Sequence, residues 1–208
     1  MVRERATEVE RDSSLDKLDK VEQILQGAMH EFLLHGYAGT SMDKVATCAG
    51  VSKATVYSHF QDKQGLFKAL VEKLAQERFH SVFGADRLEG DPKIVLRRLV
   101  TKALNEMLKD EEFCAFKRVV IGESGRFPEL AQLCIVCLIK PAIETVSEYL
   151  ACHPELNIPD PEATARILLG SLVHFVMTQE MMNGKEILPM ESDRLIDALI
   201  HLILKSGE

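Results

Sequence analysis

The stretch from Ser52 to His59 carries many hydrogen-bonding and cationic side chains and no carboxylate. It reads S-K-A-T-V-Y-S-H, and Val56 is its one aliphatic residue larger than alanine. A helix that enters the major groove of DNA needs small residues for close approach, and it needs donors for base edges and phosphates. The residue types in this stretch therefore favour contact with nucleic acid.

Two lysines support this interpretation because they stand where a helix disfavours positive charge. Lys53 and Lys63 each fall in the first turn of a predicted helix, where a cation opposes the helix dipole at a cost of about 0.3–1 kcal/mol. Either lysine alone is explained as a solvated charge. The two together, on either side of Tyr57, favour a phosphate partner.

The charge is distributed unevenly along the chain. Residues 36–70 contain four lysines and two aspartates, a balance of +2, whereas residues 71–208 contain 16 basic and 22 acidic residues, a balance of −6. The overall net charge of −7 therefore does not exclude a nucleic-acid partner. We expect the acidic part of the chain to face away from DNA.

Signatures of catalysis and of metal binding are weak in this sequence. Cys134 and Cys137 form one C-x-x-C pair in a predicted helix; a zinc or thiol–disulfide role is conceivable, but the apolar flanks favour core packing. Cys48 is also interpreted as packing, with redox interference in DNA binding as an alternative. The run Gly122 to Gly125 is one residue short of G-x-S-x-G. We predict no enzyme activity, no metal and no cofactor.

Length and composition favour a helical, cytoplasmic protein. The chain has 208 residues, enough for one or two domains at about 150 residues each. Gly plus Pro amount to only 19 residues, and there are three Tyr and no Trp. Five unevenly spaced cysteines without an export signal indicate reduced thiols in the cytoplasm. We expect no membrane span, because we take residues 167–179 as the longest uncharged apolar stretch and a span needs about 18.

Hydrophobic periodicity predicts an all-α fold with no sheet. Residues 1–15 are expected to form a flexible arm, 16–70 a DNA-binding domain and 71–208 a second helical domain. Thr40 is the predicted cap of the second helix, with Asp43 in a capping-box position, while Ser52 and Asp62 are the predicted caps of the third and fourth. The nine predicted helices cover about 16–35, 41–48, 53–59, 62–83, 92–109, 111–122, 128–150, 162–183 and 191–205.

The second and third predicted helices have the outline of a helix-turn-helix, with Gly50 in the turn. Spacing alone fits a compact corner of some other α-protein equally well, and the surface chemistry above decides for DNA. We expect Tyr57 and Lys63 to contact phosphates and Lys53 to contact a base edge or a phosphate. The full set of predicted DNA-contacting residues is Thr40, Ser52, Lys53, Ala54, Thr55, Tyr57, Ser58, His59 and Lys63.

The residues from Thr40 to Leu70 read TSMDKVATCAGVSKATVYSHFQDKQGLFKAL, and this segment closely resembles the TetR/AcrR family of bacterial transcriptional regulators. Ala54 stands where the family commonly has Gly, Val45 where it commonly has Ile, and Cys48 where a polar residue is usual. The resemblance implies a homodimer on a palindromic double-stranded operator. It also implies an all-helical C-terminal domain that binds a small effector and dimerises through its last two helices. Residues 116–131 resemble the AefR-like branch.

Aromatic and methionine side chains in the C-terminal half predict an apolar effector pocket, with plain core packing as the alternative. His174 and Gln179 are its polar candidates. We therefore expect a repressor that a lipophilic or aromatic small molecule releases from DNA. A helical protein-binding adaptor and an unrecognised helical enzyme are the alternatives. The predicted pocket residues are Met107, Phe113, Phe116, Phe127, His174, Met177 and Met181.

The last two predicted helices are too apolar for a solvated C-terminus. A two-fold interface between copies of the chain would bury this apolar surface. The residues predicted for that interface are Leu168, Leu172, Phe175, Leu195, Leu199 and Leu202.

Overall fold

The computed structural model describes residues 2–84 and 88–205, with side chains from Lys20 to Leu204, and within those residues it contains helices and no strand. The all-α prediction is confirmed. Helix α7 contains a π-helical turn at Ile135–Ile139, and α8 continues as a π-helical turn at Met177–Met181. The helices are α1 Val2–Gly39, α2 Met42–Cys48, α3 Lys53–His59, α4 Lys63–Phe83, α5 Pro92–Lys109, α6 Glu111–Glu123, α7 Pro128–Ala151, α8 Pro161–Val176 and α9 Ser192–Lys205.

The first helix is longer than its hydrophobic period predicted. Residues 2–15, expected to form a flexible arm, are helical. They are rich in Glu and Arg, which have high helix propensity whether or not an apolar stripe is present. Met1 lies outside the described residues, as do residues 85–87 of the loop predicted after α4.

The chain divides into two compact units. Unit one contains the residues up to Val71 together with Val119–Leu130, and unit two contains Glu72–Arg118 and the residues from Ala131 onward. The sequence placed a boundary at residue 70 and assigned 119–130 to the second domain. The structure instead associates the end of α6 and the following turn with the helix-turn-helix.

Unit one is built around three aromatic rings. Phe32 stacks on Tyr37 with ring centroids 5.7 Å apart, and Phe67 meets Phe32 edge-on at 5.3 Å. Val56 of α3 and Phe60, which follows the helix, are both buried. Gly36 interrupts the helical path of α1 with φ 67° and ψ 176°, a conformation that glycine adopts without strain.

Unit two buries one face of each of α5, α7, α8 and α9 in a single core. Asp91 caps α5, since its Oδ1 accepts the Lys93 amide at 2.8 Å. Asp160 does the same for α8, accepting the Ala163 amide at 2.9 Å. The fully buried side chains of this core include Leu96, Val100, Leu104, Val146, Leu150, Leu168, Leu172 and Ile196.

Helix α7 is strongly apolar although charged residues interrupt it. An 18-residue window of Pro128–Ala151 has a mean hydropathy of 1.5 and is only 11% buried, so by length and composition it could cross a membrane. Lys140 and Glu144 divide the helix, so its uncharged runs are shorter than residues 167–179. Val146, Tyr149 and Leu150 pack in the core of unit two. Other apolar side chains of α7, those of Ile135, Val136 and Ile139, are exposed.

Candidate nucleic-acid interface

The turn between α2 and α3 is fixed by local backbone and side-chain bonds. Gly50 has φ 66°, which opens the turn, and the Val51 amide donates to the Ala46 carbonyl at 3.0 Å. The Ser52 hydroxyl then accepts the Thr55 amide at 3.1 Å and starts α3. The predicted helix-turn-helix and its Ser52 cap are therefore present.

Thr40 has a different role from the one predicted. Ser41, not Thr40, caps α2, accepting the Lys44 amide at 3.3 Å. Thr40 is only 3% exposed, and its Oγ1 lies 3.0 Å from the Glu31 carbonyl oxygen and 2.8 Å from that of Gly36. A buried hydroxyl committed to carbonyls cannot reach a phosphate, so Thr40 holds the end of α1 against the start of α2.

The outward side of α3 carries side chains that the sequence predicts to contact DNA, and we call this side the reading face. The side chains of Lys53, Ala54, Tyr57 and Ser58 are exposed, and those of Thr55 and His59 are half-buried. Val56 lies opposite them in the core. Because α3 itself contains no acidic residue, this face offers donors and one cation to a polyanion.

Lys53 is held in place by a carboxylate that the sequence did not indicate. Its ammonium pairs with Asp43 on α2, and the two side chains are 64% and 55% exposed. An ion pair this exposed contributes only about 0–1 kcal/mol, because water screens it. A DNA phosphate can therefore replace Asp43 at little cost.

Lys63 also departs from its predicted role as a phosphate contact. Its ammonium donates to the carbonyls of Tyr37 at 2.7 Å and Thr40 at 2.9 Å, and it lies 4.5 Å from the Tyr37 ring centroid. Burial lowers the pKa of Lys63, and Glu123 raises it. The cation is committed to the turn between α1 and α2, so the structure makes it a positioning residue for the helix-turn-helix.

Replacing Lys63 should therefore destabilise unit one. We expect Lys63→Met, which keeps the apolar stem, to lower the free energy of unfolding by about 1–3 kcal/mol, because two buried carbonyls lose a charged donor. Urea unfolding measures this. Lys44→Met is the matched control, since Lys44 donates to one carbonyl, that of Gly39 at 3.2 Å, from an exposed position. Equal stability of the two variants would contradict the assignment.

The segment Val119–Leu130 packs on the same turn. Glu123 Oε1 accepts the Ala38 amide at 3.4 Å, and a Cβ added to Gly36 would lie 2.9 Å from that oxygen. Phe127 meets the Tyr37 ring edge-on at 4.9 Å. Burial raises the pKa of Tyr37, with a further contribution from Glu129. Phe127, predicted to line an effector pocket, instead belongs to the aromatic cluster of unit one.

The other predicted pocket residues do not all share one location. Phe113 and Phe116 are buried in unit two and Met107 and Met181 are half-buried, whereas His174 and Met177 are exposed. Gln179 is buried, but its Nε2 donates to the Leu188 carbonyl at 2.7 Å, which gives it a structural partner. Surface exposure removes His174 and Met177 from an enclosed pocket within one chain.

Most of the residues predicted for the dimer interface face the core of their own chain. Leu168, Leu172, Phe175 and Leu199 are all buried within unit two, and Leu195 is partly buried against it. Leu202 is exposed. A side chain already buried in its own chain has little surface left for a partner. The exposed side of α8 and its π-helical turn carries Ile167, Gly170, Val173, His174 and Met177 instead, with no Asp, Glu, Lys or Arg among them.

The C-x-x-C pair is unsuited to thiolate chemistry. Burial, and secondarily Cys137, raises the pKa of Cys134 to about 11. At pH 8 a thiol with this pKa is ionised in about one molecule in a thousand, whereas a thiol with an ordinary pKa of about 8.5 is ionised in about one in four. Because the thiolate is the nucleophile and the metal ligand, this geometry supports packing.

Alkylation checks the Cys134 environment. We expect iodoacetamide to modify Cys134 in the folded chain about 100-fold more slowly at pH 8 than in the same chain unfolded in urea. The folded rate should rise about tenfold per pH unit from pH 8 to 10, since the pKa lies above that range. Peptide mass spectrometry follows the site, and a folded rate already constant above pH 9 would refute the raised pKa.

Comparison with known proteins agrees with this geometry. Residues 24–70 match the model of bacterial regulatory proteins of the tetR family, and residues 95–206 match the C-terminal domain of AefR-like transcriptional repressors. The HTH-type transcriptional regulator YhgD of Bacillus subtilis is 25% identical over 90% of this chain and 96% of its own.

Solved structures extend the similarity to the whole fold. The flavonoid-responsive regulator FrrA is 26% identical, with a TM-score of 0.76 over 90% of this chain and 96% of that chain. A TetR-family regulator from Mesorhizobium loti is 28% identical, with a TM-score of 0.67 over 91% and 96%.

The helix-turn-helix, its donor-rich reading face and the helical second unit define a DNA-binding transcriptional regulator rather than an enzyme. The chain belongs to the tetR family of bacterial regulatory proteins, and its C-terminal part is of the AefR-like kind. Members of this family bind operator DNA as homodimers and respond to small ligands.

Proposed function

We propose that this regulator is a homodimeric repressor that holds a palindromic operator through α3 and leaves it when an apolar small molecule binds unit two. The outward face of α3 carries the proposal. It is exposed, free of acidic side chains and rigidly presented by the Ser52 cap and by Val56 in the core. A protein-binding adaptor would instead need an apolar or acidic surface there. As a DNA-binding regulator it acts in the cytoplasm, where bacterial DNA lies.

The proposed DNA contacts follow from exposure. Lys53 and Tyr57 reach phosphates or base edges, and the small residues between them permit close approach. Thr40 and Lys63 support binding indirectly, by fixing the turn that leads into α2. The residues assigned to the interface are Ser52, Lys53, Ala54, Thr55, Tyr57, Ser58 and His59.

The proposed dimer forms through the uncharged side of α8, and we assign the exposed Leu202 of α9 to the same interface. Ile167 and Val173 are exposed there, as is Leu202 on α9. A two-fold axis would place this surface against its own copy and bury it on both chains. The two reading helices would then meet half-sites about 34–36 Å apart, one turn of DNA.

Release by an effector requires that a structural change in unit two reach the helix-turn-helix in unit one. Helices α4 and α6 each begin in one unit and end in the other, so a shift of either helix reaches unit one through the chain itself. Glu123 and Phe127 then contact the α1–α2 turn directly. In the proposed dimer, an effector can favour a conformation in which the two helix-turn-helix units are spaced differently from the two half-sites of the operator. Such an effector competes with DNA by population shift. The name of FrrA describes it as flavonoid-responsive, which supports an aromatic effector here.

Selection of genomic fragments bound by the full chain tests the function. We expect a palindrome with half-sites one turn apart, and a binding constant that falls steeply with salt, because phosphate contacts release counterions. Apolar compounds are then tested for release of the selected fragment. Failure to enrich any sequence above random DNA would refute operator binding.

A further inference from the structure

A cluster of three cations lies in unit two, two of them against the buried ring of Phe113 and the third beside Lys117. Arg78 comes from α4, and Lys117 and Arg118 come from α6. The Arg78 guanidinium carbon lies 4.8 Å and the Lys117 ammonium 4.9 Å from the Phe113 ring centroid. Arg118 donates to the carbonyls of Glu180 at 2.9 Å and Met181 at 3.2 Å.

The cluster has fewer negative charges than positive ones. Asp110 pairs with Arg78, and Glu180, whose carbonyl accepts from Arg118, pairs its carboxylate with Lys185 at 2.7 Å. Among the residues that the structure describes, no carboxylate pairs with Lys117, which is half-buried, or with Arg118, which is exposed to water. This is unexpected in a part of the chain with six more acidic than basic residues.

Two observations show that Arg78 and Lys117 are incompletely satisfied by the described residues, whereas Arg118 is exposed and bonded to two carbonyls. The Nε of Arg78 is buried and has no hydrogen-bond partner. Burial lowers the pKa of Lys117, and Arg78 and Arg118 lower it further, while Cys114 is the one neighbour that raises it. Buried charges are normally paired, because unpaired ones cost several kcal/mol of desolvation.

The surroundings of the cluster are apolar. Two of the residues predicted to line an effector pocket, Phe113 and Phe116, lie on α6 with Lys117 and Arg118, and both are buried. The Phe113 ring is the apolar group in contact with the cations, since Arg78 and Lys117 both lie within 5 Å of its centroid. A ligand here would meet an aromatic ring beside positive charge.

We propose that Arg78, Lys117 and Arg118 receive the acidic group of the effector, so that the effector is an apolar molecule with one negative charge. The proposal rests on the proposed function in that unit two binds an effector. It narrows the chemical class of the effector to apolar acids, because a neutral molecule would leave the cations without a negative partner. A carboxylate supplies the negative charge that Lys117 lacks, and it can accept from the Nε of Arg78, whose Nη2 is already paired with Asp110.

The test compares acids with neutral partners of the same shape. Decanoate is paired with 1-decanol, and 2-naphthoate with 2-naphthalenemethanol, so that the aliphatic and aromatic arms are separate. Binding to the full-length dimer is measured by calorimetry and by melting temperature. We expect at least one acid to bind about tenfold or more tightly than its neutral partner.

Variants identify the cations as the cause of the preference. Lys117→Met should remove most of the acid preference and leave neutral binding in place, while Lys117→Arg should restore it. Lys93→Met, an exposed lysine on α5, should change nothing. In the ligand-free protein Lys117→Met should raise the melting temperature, because it removes one of several like charges.

The outcomes separate this proposal from the proposed function. It is overturned if neither acid is preferred, including the case in which no probe binds, or if Lys117→Met lowers the melting temperature of the ligand-free protein. Neutral compounds that release operator DNA while acids do not would overturn the anion site and keep the ligand-released repressor. An acid that binds in a Lys117-dependent way without releasing DNA would keep the site and overturn the coupling.

Discussion

Ile167→Glu should yield monomers and lower operator affinity about 100-fold or more. Ile167 is 66% exposed on the side of α8 that bears no charge from there to Met177. A two-fold axis would bring two glutamates together in an apolar interface, where unpaired charges are costly to bury. A monomer contacts only one half-site of the operator. Linking two DNA-binding units in one dimer typically raises the affinity 10²–10⁴-fold over that of a single unit.

Ile94→Glu provides the matched control. Ile94 is 65% exposed on α5, so it has the same residue type and the same exposure on another surface of unit two. Sedimentation and fluorescence anisotropy with the selected operator should show a dimer with wild-type affinity for this variant. A dimeric Ile167→Glu protein would refute the assignment of α8. Leu199→Arg is unsuitable because Leu199 lies in the core, where arginine would unfold the chain.

Lys53→Ala combined with Tyr57→Phe should weaken operator binding about 1000-fold or more at moderate salt while leaving stability within about 0.5 kcal/mol of wild type. Each lost base or phosphate contact costs about 1–3 kcal/mol, and both heads lose theirs. The slope of log K against log salt should fall by about two, one for each lysine removed. Both side chains are exposed, so their loss leaves the core intact.

Lys93→Ala is the control for charge alone. It removes one exposed lysine per chain from α5 and should leave both affinity and salt slope unchanged. Titration of labelled operator at several salt concentrations measures both quantities. Unchanged binding by the double variant would place the reading face elsewhere on unit one.

The sequence by itself determined the helices, the helix-turn-helix and its outward residues. These features depend on interactions within a few residues of one another. Ser52 meets Thr55, Gly50 adopts its positive φ in place, and Val56 sets which side of α3 faces inward. Local patterns of this kind are readable without knowledge of the rest of the fold.

The tertiary structure decided which side of α8 is buried and which partners the lysines have. Helix α8 is apolar around most of its circumference, so hydrophobic periodicity favours burial of Leu168 and of Ile167 equally. Only packing against α5 and α7 places Leu168 in the core. Lys63 binds carbonyls 23 and 26 residues away, and Arg78 meets Asp110 32 residues away. Such contacts depend on how helices pack together, so the spacing of residues along one helix does not predict them.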